Sequence, residues 1–202
     1  YIFYKLMKYD FAIIGSGIIG LTLAFKLKQK FNNSRIIIFE KEPDSLSHGS
    51  GRNSGVLHSG IYYEPGSLRA KLCTKGVKEL KEYIKSENLW LDECGKLLLP
   101  TSEFSFSNLN NLYDRANKNG VKINKINNKD IEYLEPNVNC KFDCGLYVPF
   151  TSVADPKEVS NSLIKTLKKM NVNIQYNTKI FKVVERTLVT KNSTISAEHI
   201  FN

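Results

Sequence analysis

Apolar residues along this chain follow two rhythms, and the changes of rhythm mark its elements. Asp10–Ile14 and Arg35–Glu40 are short, nearly continuous apolar runs, as expected of strands covered on both faces. Between them, Ile18–Lys30 carries apolar residues at helical spacing. Strand, helix and strand in that order predict a βαβ unit with parallel strands. Lys41–Ser59 breaks both rhythms and crowds together Pro43, Asp44, Ser45, Ser47, Gly49, Ser50, Gly51, Asn53, Ser54 and Gly55. A loop of that length in a compact domain is usually functional. Gly66–Asn88 predicts a helix, with Leu68, Leu72, Val77, Leu80 and Ile84 near helical spacing. Gly95–Pro100 predicts a strand, and Glu103–Asn119 a helix stopped at Gly120. Val121–Ile126 reads as a short strand, Asn128–Leu134 as a short helix ended by Pro136, and Gly145–Pro149 as a strand. Asp155 at a cap and Pro156 in the first turn open a helix to about Met170. Asn173–Tyr176 and Lys179–Glu185 read as strands, Thr187–Thr190 and Thr194–Ala197 as a small meander, and His199–Asn202 as the start of a further strand.

The first strand and helix meet at Gly15-Ser16-Gly17-Ile18-Ile19-Gly20, three glycines in GxGxxG spacing. Gly15 permits the tight turn, Gly17 lets a pyrophosphate approach the backbone, and Gly20 lets the helix pack closely on the strand. The helix start at Ile18 and Ile19 offers free N–H groups and the positive end of the helix dipole to phosphate. Glu40 ends the next strand, where a carboxylate accepts hydrogen bonds from an adenosine ribose. Lys41, which follows it, is counted with the same site. An acid there suits a free 2′-hydroxyl, as in FAD or NAD, and repels the 2′-phosphate of NADP. The motif does not separate FAD from NAD.

Composition narrows the field further. With 202 residues, the chain is long enough to bury roughly 70% of its unfolded surface without covalent staples. Apolar content of 42% and charged content of 24% are globular values. Cys73, Cys94, Cys140 and Cys144 form no CxxC pair and show no zinc spacing with His48, His58 and His199, so reduced thiols and no metal site are expected. The formal charge of +9 raises a nucleic-acid reading, but the basic residues are dispersed with no long run, so no nucleic-acid partner is expected. A basic surface would still draw in an anionic substrate. The longest apolar stretch, Phe11–Phe25, is too short for a membrane span and contains the glycine turn, and no signal peptide is visible. Met7 reads as the natural start, with the six residues before it poorly anchored. A strand begun at His199 and left without a successor predicts the N-terminal part of a longer protein.

The block Gly51-Arg52-Asn53-Ser54-Gly55-Val56-Leu57-His58-Ser59-Gly60-Ile61-Tyr62-Tyr63, followed by Pro65–Cys73, resembles the L-2-hydroxyglutarate oxidase/dehydrogenase family within the D-amino-acid-oxidase-like FAD enzymes. Cys94–Leu97 and the stretch from Glu135 to Pro149 are similar to the same family, and the resemblance runs from about residue 8 to 202. It implies FAD as the cofactor. The implied α/β fold is a Rossmann-type FAD-binding domain with part of an α+β substrate-binding domain inserted, truncated here. The expected division is 7–94 and 151–202 for the two parts of the FAD-binding domain and 95–150 for the substrate-domain portion. Members of the family are longer, and the segment beyond the present last residue carries a second flavin contact and part of the substrate pocket.

The resemblance implies hydride transfer from the α-carbon of a small-molecule 2-hydroxy acid, L-2-hydroxyglutarate first, to flavin N5, with a base taking the hydroxyl proton. Arg52, Asn53, Ser54 and Gly55 would form a loop near the isoalloxazine, and Ile180 would offer backbone groups to the adenine. Arg52 stands where many members carry His and can hold the pyrophosphate instead. His58 is the histidine placed to act on substrate, as base or as a contact to flavin or backbone. Tyr62 either binds a substrate carboxylate or packs. An amine or amino-acid oxidase and an inactive dinucleotide-binding fragment are the competing readings. The electron acceptor is open among oxygen, a quinone and an electron-transfer protein. The expected location is the cytoplasm, with peripheral association at the inner face of the membrane, or else the mitochondrion.

Overall fold

The computed structural model describes residues 8–202. The expected start at Met7 and the poorly anchored residues before it lie outside the described residues. In chain order the elements are β1 (Lys8–Ile14), α1 (Ile18–Lys30), β2 (Ile36–Phe39), β3 (Val56–Leu57), α2 (Leu68–Ser86), β4 (Leu91–Asp92), β5 (Lys96–Leu98), α3 (Glu103–Ser107), α4 (Leu109–Lys118), β6 (Asn124–Ile126), α5 (Asn128–Leu134), β7 (Gly145–Val148), β8 (Ser152–Ala154), α6 (Pro156–Lys169), β9 (Asn173–Gln175), β10 (Lys182–Val184), β11 (Thr187–Val189) and β12 (Thr194–Phe201). The chain divides into two compact units, one made of the described residues up to Asn53 with Pro156–Asn202, the other of Ser54–Asp155.

The first unit is built on a six-stranded sheet in the order β10-β11-β12-β1-β2-β9. β1 runs parallel to both β2 and β12, and β2 runs parallel to β9. All four residues of β2 are buried, which explains why its sequence is apolar without alternation. Ala12, Ile37, Phe39, Leu188, Ile195 and Ala197 form the core on this sheet. α1 and α6 pack against each other. Lys28, buried near the end of α1, donates from Nζ to the Ser34 carbonyl at 2.7 Å and so closes the turn into β2.

The two strand segments expected over Thr194–Ala197 and His199–Asn202 are one strand. β12 continues through both because its first half pairs antiparallel with β11 while its register with β1 runs from Ser196 to Phe201. Two partners on opposite edges keep the backbone extended across a point where the sequence alone suggested a break.

The second unit holds two three-stranded antiparallel sheets, β3-β8-β4 and β5-β7-β6. Its core gathers Ile61, Ala116, Val121, Ile123, Leu146 and Val148. The single helix expected over 103–119 is two. Asn108 closes α3 and opens α4, and its Nδ2 donates back to the Phe104 carbonyl at 2.8 Å. Such side-chain bonding to the backbone competes with helix continuation. Lys81 on α2 is 5% exposed, yet it is satisfied: Nζ donates to the Phe150 carbonyl at 2.7 Å and to Glu93 Oε1 at 3.2 Å, and lies 3.8 Å from the Phe150 ring centre. The four cysteines are unbridged.

The glycine turn depends on two backbone facts. Gly15 has φ of 100°, a region that L side chains rarely adopt. At Gly20 an added Cβ would overlap the Gly15 carbonyl oxygen and lie 3.3 Å from Ile13 Cγ2, so the first turn of α1 could not sit where it does. Gly20→Ala should therefore destabilise the fold by about 2–4 kcal/mol. Urea unfolding would measure it, and an unchanged midpoint would mean that α1 can move off β1 without loss.

Candidate functional site

The carboxyl ends of β1 and β2 open on a cavity of about 340 Å³. In open parallel sheets, ligands bind at this end of the strands. The glycine turn contributes Ile14, Gly15 and Gly17, the end of β2 contributes Phe39, Glu40 and Lys41, and the stretch after β9 contributes Thr178, Lys179 and Ile180. Leu46, Ser47, His48 and Ser50 complete the lining from the long loop. Its chemistry is mixed in a useful way, with apolar side chains, one carboxylate and cationic groups on Lys41 and Lys179.

α1 begins at Ile18 without a side-chain cap from Gly17. The Ile18 N–H donates to Ser50 Oγ at 3.1 Å. Among the described residues, the N–H groups of Ile19 and Gly20 find no acceptor. A helix start with unsatisfied N–H groups and a bare Gly17 beside it can take an anion. A Cβ on Gly17 would come 3.0 Å from Ser50 Oγ, so that hydroxyl would have to give way, while the other sides of Gly17 stay open.

Glu40 is 8% exposed. Its Oε2 accepts from the Ser16 N–H at 2.8 Å and from Ser16 Oγ at 2.9 Å, and its Oε1 accepts from the Glu42 N–H at 3.0 Å. Burial alone would raise its pKa. The bonds from the Ser16 N–H, the Glu42 N–H and the Ser16 hydroxyl, with the nearby Lys41 N–H adding least, outweigh burial, so the carboxyl lies below its usual range. A carboxylate offers about four lone-pair sites, and three hydrogen bonds leave Oε1 able to accept another. At the cavity rim, Glu42 Oε1 meets His48 Nε2 at 2.9 Å and Lys41 Nζ at 3.5 Å. The hydrogen bond from His48 is the largest influence lowering the Glu42 pKa.

Of the residues the sequence nominates, Gly15, Gly17, Glu40, Lys41 and Ile180 share this cavity, while Ile18, Ile19 and Gly20 form the adjoining helix turn. Arg52 lines a separate polar cavity of about 490 Å³ with Lys157 and Asn161. Asn53 secures the short 3-10 turn at Gly49–Gly51, donating from Nδ2 to the Ser50 carbonyl at 2.8 Å. Ser54, Gly55, His58 and Tyr62 belong to the other unit. There His58 is exposed and its carbonyl accepts from the Cys73 thiol at 3.0 Å. The Tyr62 hydroxyl accepts from Lys96 Nζ at 3.2 Å, and its carbonyl accepts from Arg115.

Sequence reasoning missed Ser16, Ser45, His48, Ser50, Tyr176, Thr178 and Lys179. Ser16 was open to discovery, since a hydroxyl between two motif glycines lies beside whatever the motif holds. Ser50 and His48 lie in a loop whose many polar residues look alike until it folds.

The chain matches the family described as FAD dependent oxidoreductase (DAO) over residues 10–202. It is 35% identical over 172 residues to an L-2-hydroxyglutarate dehydrogenase of Escherichia coli O17:K52:H18, covering 85% of this chain and 40% of that protein. It is 38% identical over 183 residues to the mitochondrial L-2-hydroxyglutarate dehydrogenase of Dictyostelium discoideum, covering 86% of this chain and 41% of that one. It therefore spans about 40% of the length of these curated relatives. Among solved structures, L-alpha-glycerophosphate oxidase from Mycoplasma pneumoniae with FAD bound aligns with a TM-score of 0.83 at 26% identity, covering 96% of this chain and 53% of that one. L-proline dehydrogenase from P. horikoshii shares the fold at 17% identity with a TM-score of 0.86, over 96% of this chain and 52% of that one.

Because the Glu40 carboxyl is held below its unfolded value of 4.5, its ionised form adds stability above that pH, and the gain is lost as pH falls through the folded value. Glu40→Gln should cost about 1–3 kcal/mol at neutral pH and make the acid-side fall in stability shallower. Thermal unfolding between pH 7 and 3 would test it, and parallel curves for both proteins would refute it.

Glycine turn, helix start and strand-end carboxylate meet at one cavity, and the family match extends over nearly the whole chain: this protein belongs to the FAD dependent oxidoreductases of the DAO family.

Proposed function

We propose that this chain is the FAD-holding portion of an enzyme that oxidises a 2-hydroxy acid, with L-2-hydroxyglutarate as substrate and 2-oxoglutarate as product. The observation that carries the reading is the 35% and 38% identity to two L-2-hydroxyglutarate dehydrogenases from distant organisms. The residues at the cavity fit the cofactor that the family name implies. The Ile19 and Gly20 N–H groups and the space beside Gly17 suit a diphosphate, Oε1 of Glu40 suits a ribose hydroxyl, and the apolar side chains of Ile14, Phe39 and Ile180 suit a flat aromatic base. Lys41 and Lys179 add positive charge beside the phosphates.

FAD, when bound, supplies the hydride acceptor. What remains for the protein is to orient the hydroxy acid and take its hydroxyl proton. His58 is assigned the proton because a ring nitrogen of an imidazole can accept one from a hydroxyl. Tyr62 is assigned the substrate carboxylate, its ring carrying Lys96 Nζ at 5.0 Å from the centre. A phenol with an ammonium group beside it makes a reasonable carboxylate partner. The homologues include bacterial and mitochondrial proteins, and no helix among the described residues is long and apolar enough to cross a membrane. A cytoplasmic or mitochondrial location fits both.

Two substitutions test the cofactor and the base. Gly17→Val should abolish FAD binding, because the branched side chain fills the approach to the helix start; flavin absorbance retained at full occupancy after gel filtration would refute the placement. His58→Ala should keep flavin yet slow its reduction by L-2-hydroxyglutarate at least about tenfold under anaerobic conditions. Unaltered reduction would return His58 to a structural role. Bleaching of the flavin by amino acids rather than by 2-hydroxy acids in the same assay would overturn the substrate class.

A further inference from the structure

Behind the glycine turn, a chain of hydroxyls has a direction. Ser16 Oγ donates to Glu40 Oε2 at 2.9 Å, and Ser45 Oγ donates to Ser16 Oγ at 2.7 Å. Tyr176 Oη lies 3.2 Å from Ser45 Oγ, with either atom able to donate on distance alone. Proton counting decides between them. A hydroxyl carries one hydrogen, and that of Ser45 is already given to Ser16, so the Tyr176 hydroxyl must be the donor. The sequence of donors is therefore Tyr176, Ser45, Ser16, ending on an ionised carboxylate. Each member polarises the next in a site shielded from water, where Ser16 is 0% and Ser45 9% exposed.

Local turn chemistry does not account for this chain. Its members lie 24, 29 and 131 residues apart along the sequence and come from four segments: the glycine turn, the end of β2, the long loop and the residue after β9. Its effect on Glu40 is specific. The two Ser16 donors fill Oε2, while Oε1 accepts only the Glu42 N–H and keeps a lone pair.

We infer that Tyr176, Ser45 and Ser16 form a one-way hydroxyl relay that positions Glu40, committing Oε2 to the protein and leaving Oε1 for a ribose hydroxyl. This rests on the dinucleotide reading above. The three are positioning residues that act through Glu40.

The test places Tyr176→Phe and Ser45→Ala in two backgrounds, the natural chain and Glu40→Gln. The charged neighbours Lys41, Glu42, His48 and Lys179 remain in every variant. In the ligand-free protein, acid unfolding followed by circular dichroism should begin at higher pH in each relay variant, its midpoint rising by about 0.5 pH. With Glu40→Gln already present, the same changes should move the midpoint no further. An equal shift in both backgrounds, or none in either, overturns the relay.

A second arm titrates FAD and follows quenching of its fluorescence. Kd should rise about three- to tenfold in each relay variant and should not rise again when added to Glu40→Gln. Additive losses in both backgrounds would reduce the hydroxyls to packing. A natural chain that shows the acid coupling but takes up no FAD sinks the dinucleotide reading and the ribose role, while leaving the hold on Glu40 standing. FAD binding with no coupling to Glu40 in either arm sinks the relay alone.

Discussion

Glu40 ties together the parts of the first unit that must not drift. Its carboxylate ends β2 and reaches across to the Ser16 N–H, which belongs to the turn between β1 and α1. The parallel pairing of β1 and β2 brings the two strand ends level, with Ile14 opposite Phe39. The Gly15 N–H donates to the Phe39 carbonyl at 2.7 Å just before the turn, so the sheet's last rung and the carboxylate act in succession. A buried carboxylate is costly unless its oxygens are satisfied. Here main-chain donors meet that cost and fix the shape of the glycine turn, and the start of α1 follows from it.

The same logic of satisfied burial governs the second unit through a different charge. Lys81 carries an ammonium into the protein beside Phe150 and spends its donors on a carbonyl and on Glu93. Lys85 pairs with the other oxygen of Glu93 at 2.7 Å and holds that carboxyl below its usual range, with Lys81 adding to the effect. By contrast, the pairs of Glu198 with Lys8 and Arg186 are largely solvated and contribute little to stability. The formal charge of +9 is thus no guide to where charge matters: among the described residues one buried acid, Glu40, and two buried bases, Lys28 and Lys81, do the organising, and the other lysines are at least partly solvated.

Legibility in the sequence was uneven for identifiable reasons. α1 is found where the apolar spacing put it and α5 where a short helix was expected before Pro136, since helical periodicity and helix stops are properties of neighbouring residues. The break at Asn108 was missed because one asparagine among polar residues does not announce that its side chain will turn back on the Phe104 carbonyl. β4 and β8, of two and three residues, lack any pattern long enough to see, and each exists through pairing with distant segments. In the site, Gly15, Gly17 and Glu40 stood out because their roles require a particular residue type. Ser50 and His48 did not, since any of several polar loop residues would have looked equally suitable.

The sequence by itself determined the βαβ opening, the glycine turn and the acid at the end of β2, because short-range sterics and apolar periodicity select them within one stretch of chain. It also carried enough family likeness to imply FAD. Only the tertiary structure decided that β12 is a single strand beside β1, that Ser50 takes up the first free N–H of α1, and that Ser16, Ser45 and Tyr176 point one way onto Glu40. Those choices are made between segments far apart in sequence, where which hydroxyl meets which acceptor depends on the path of the whole chain and not on the residues beside it.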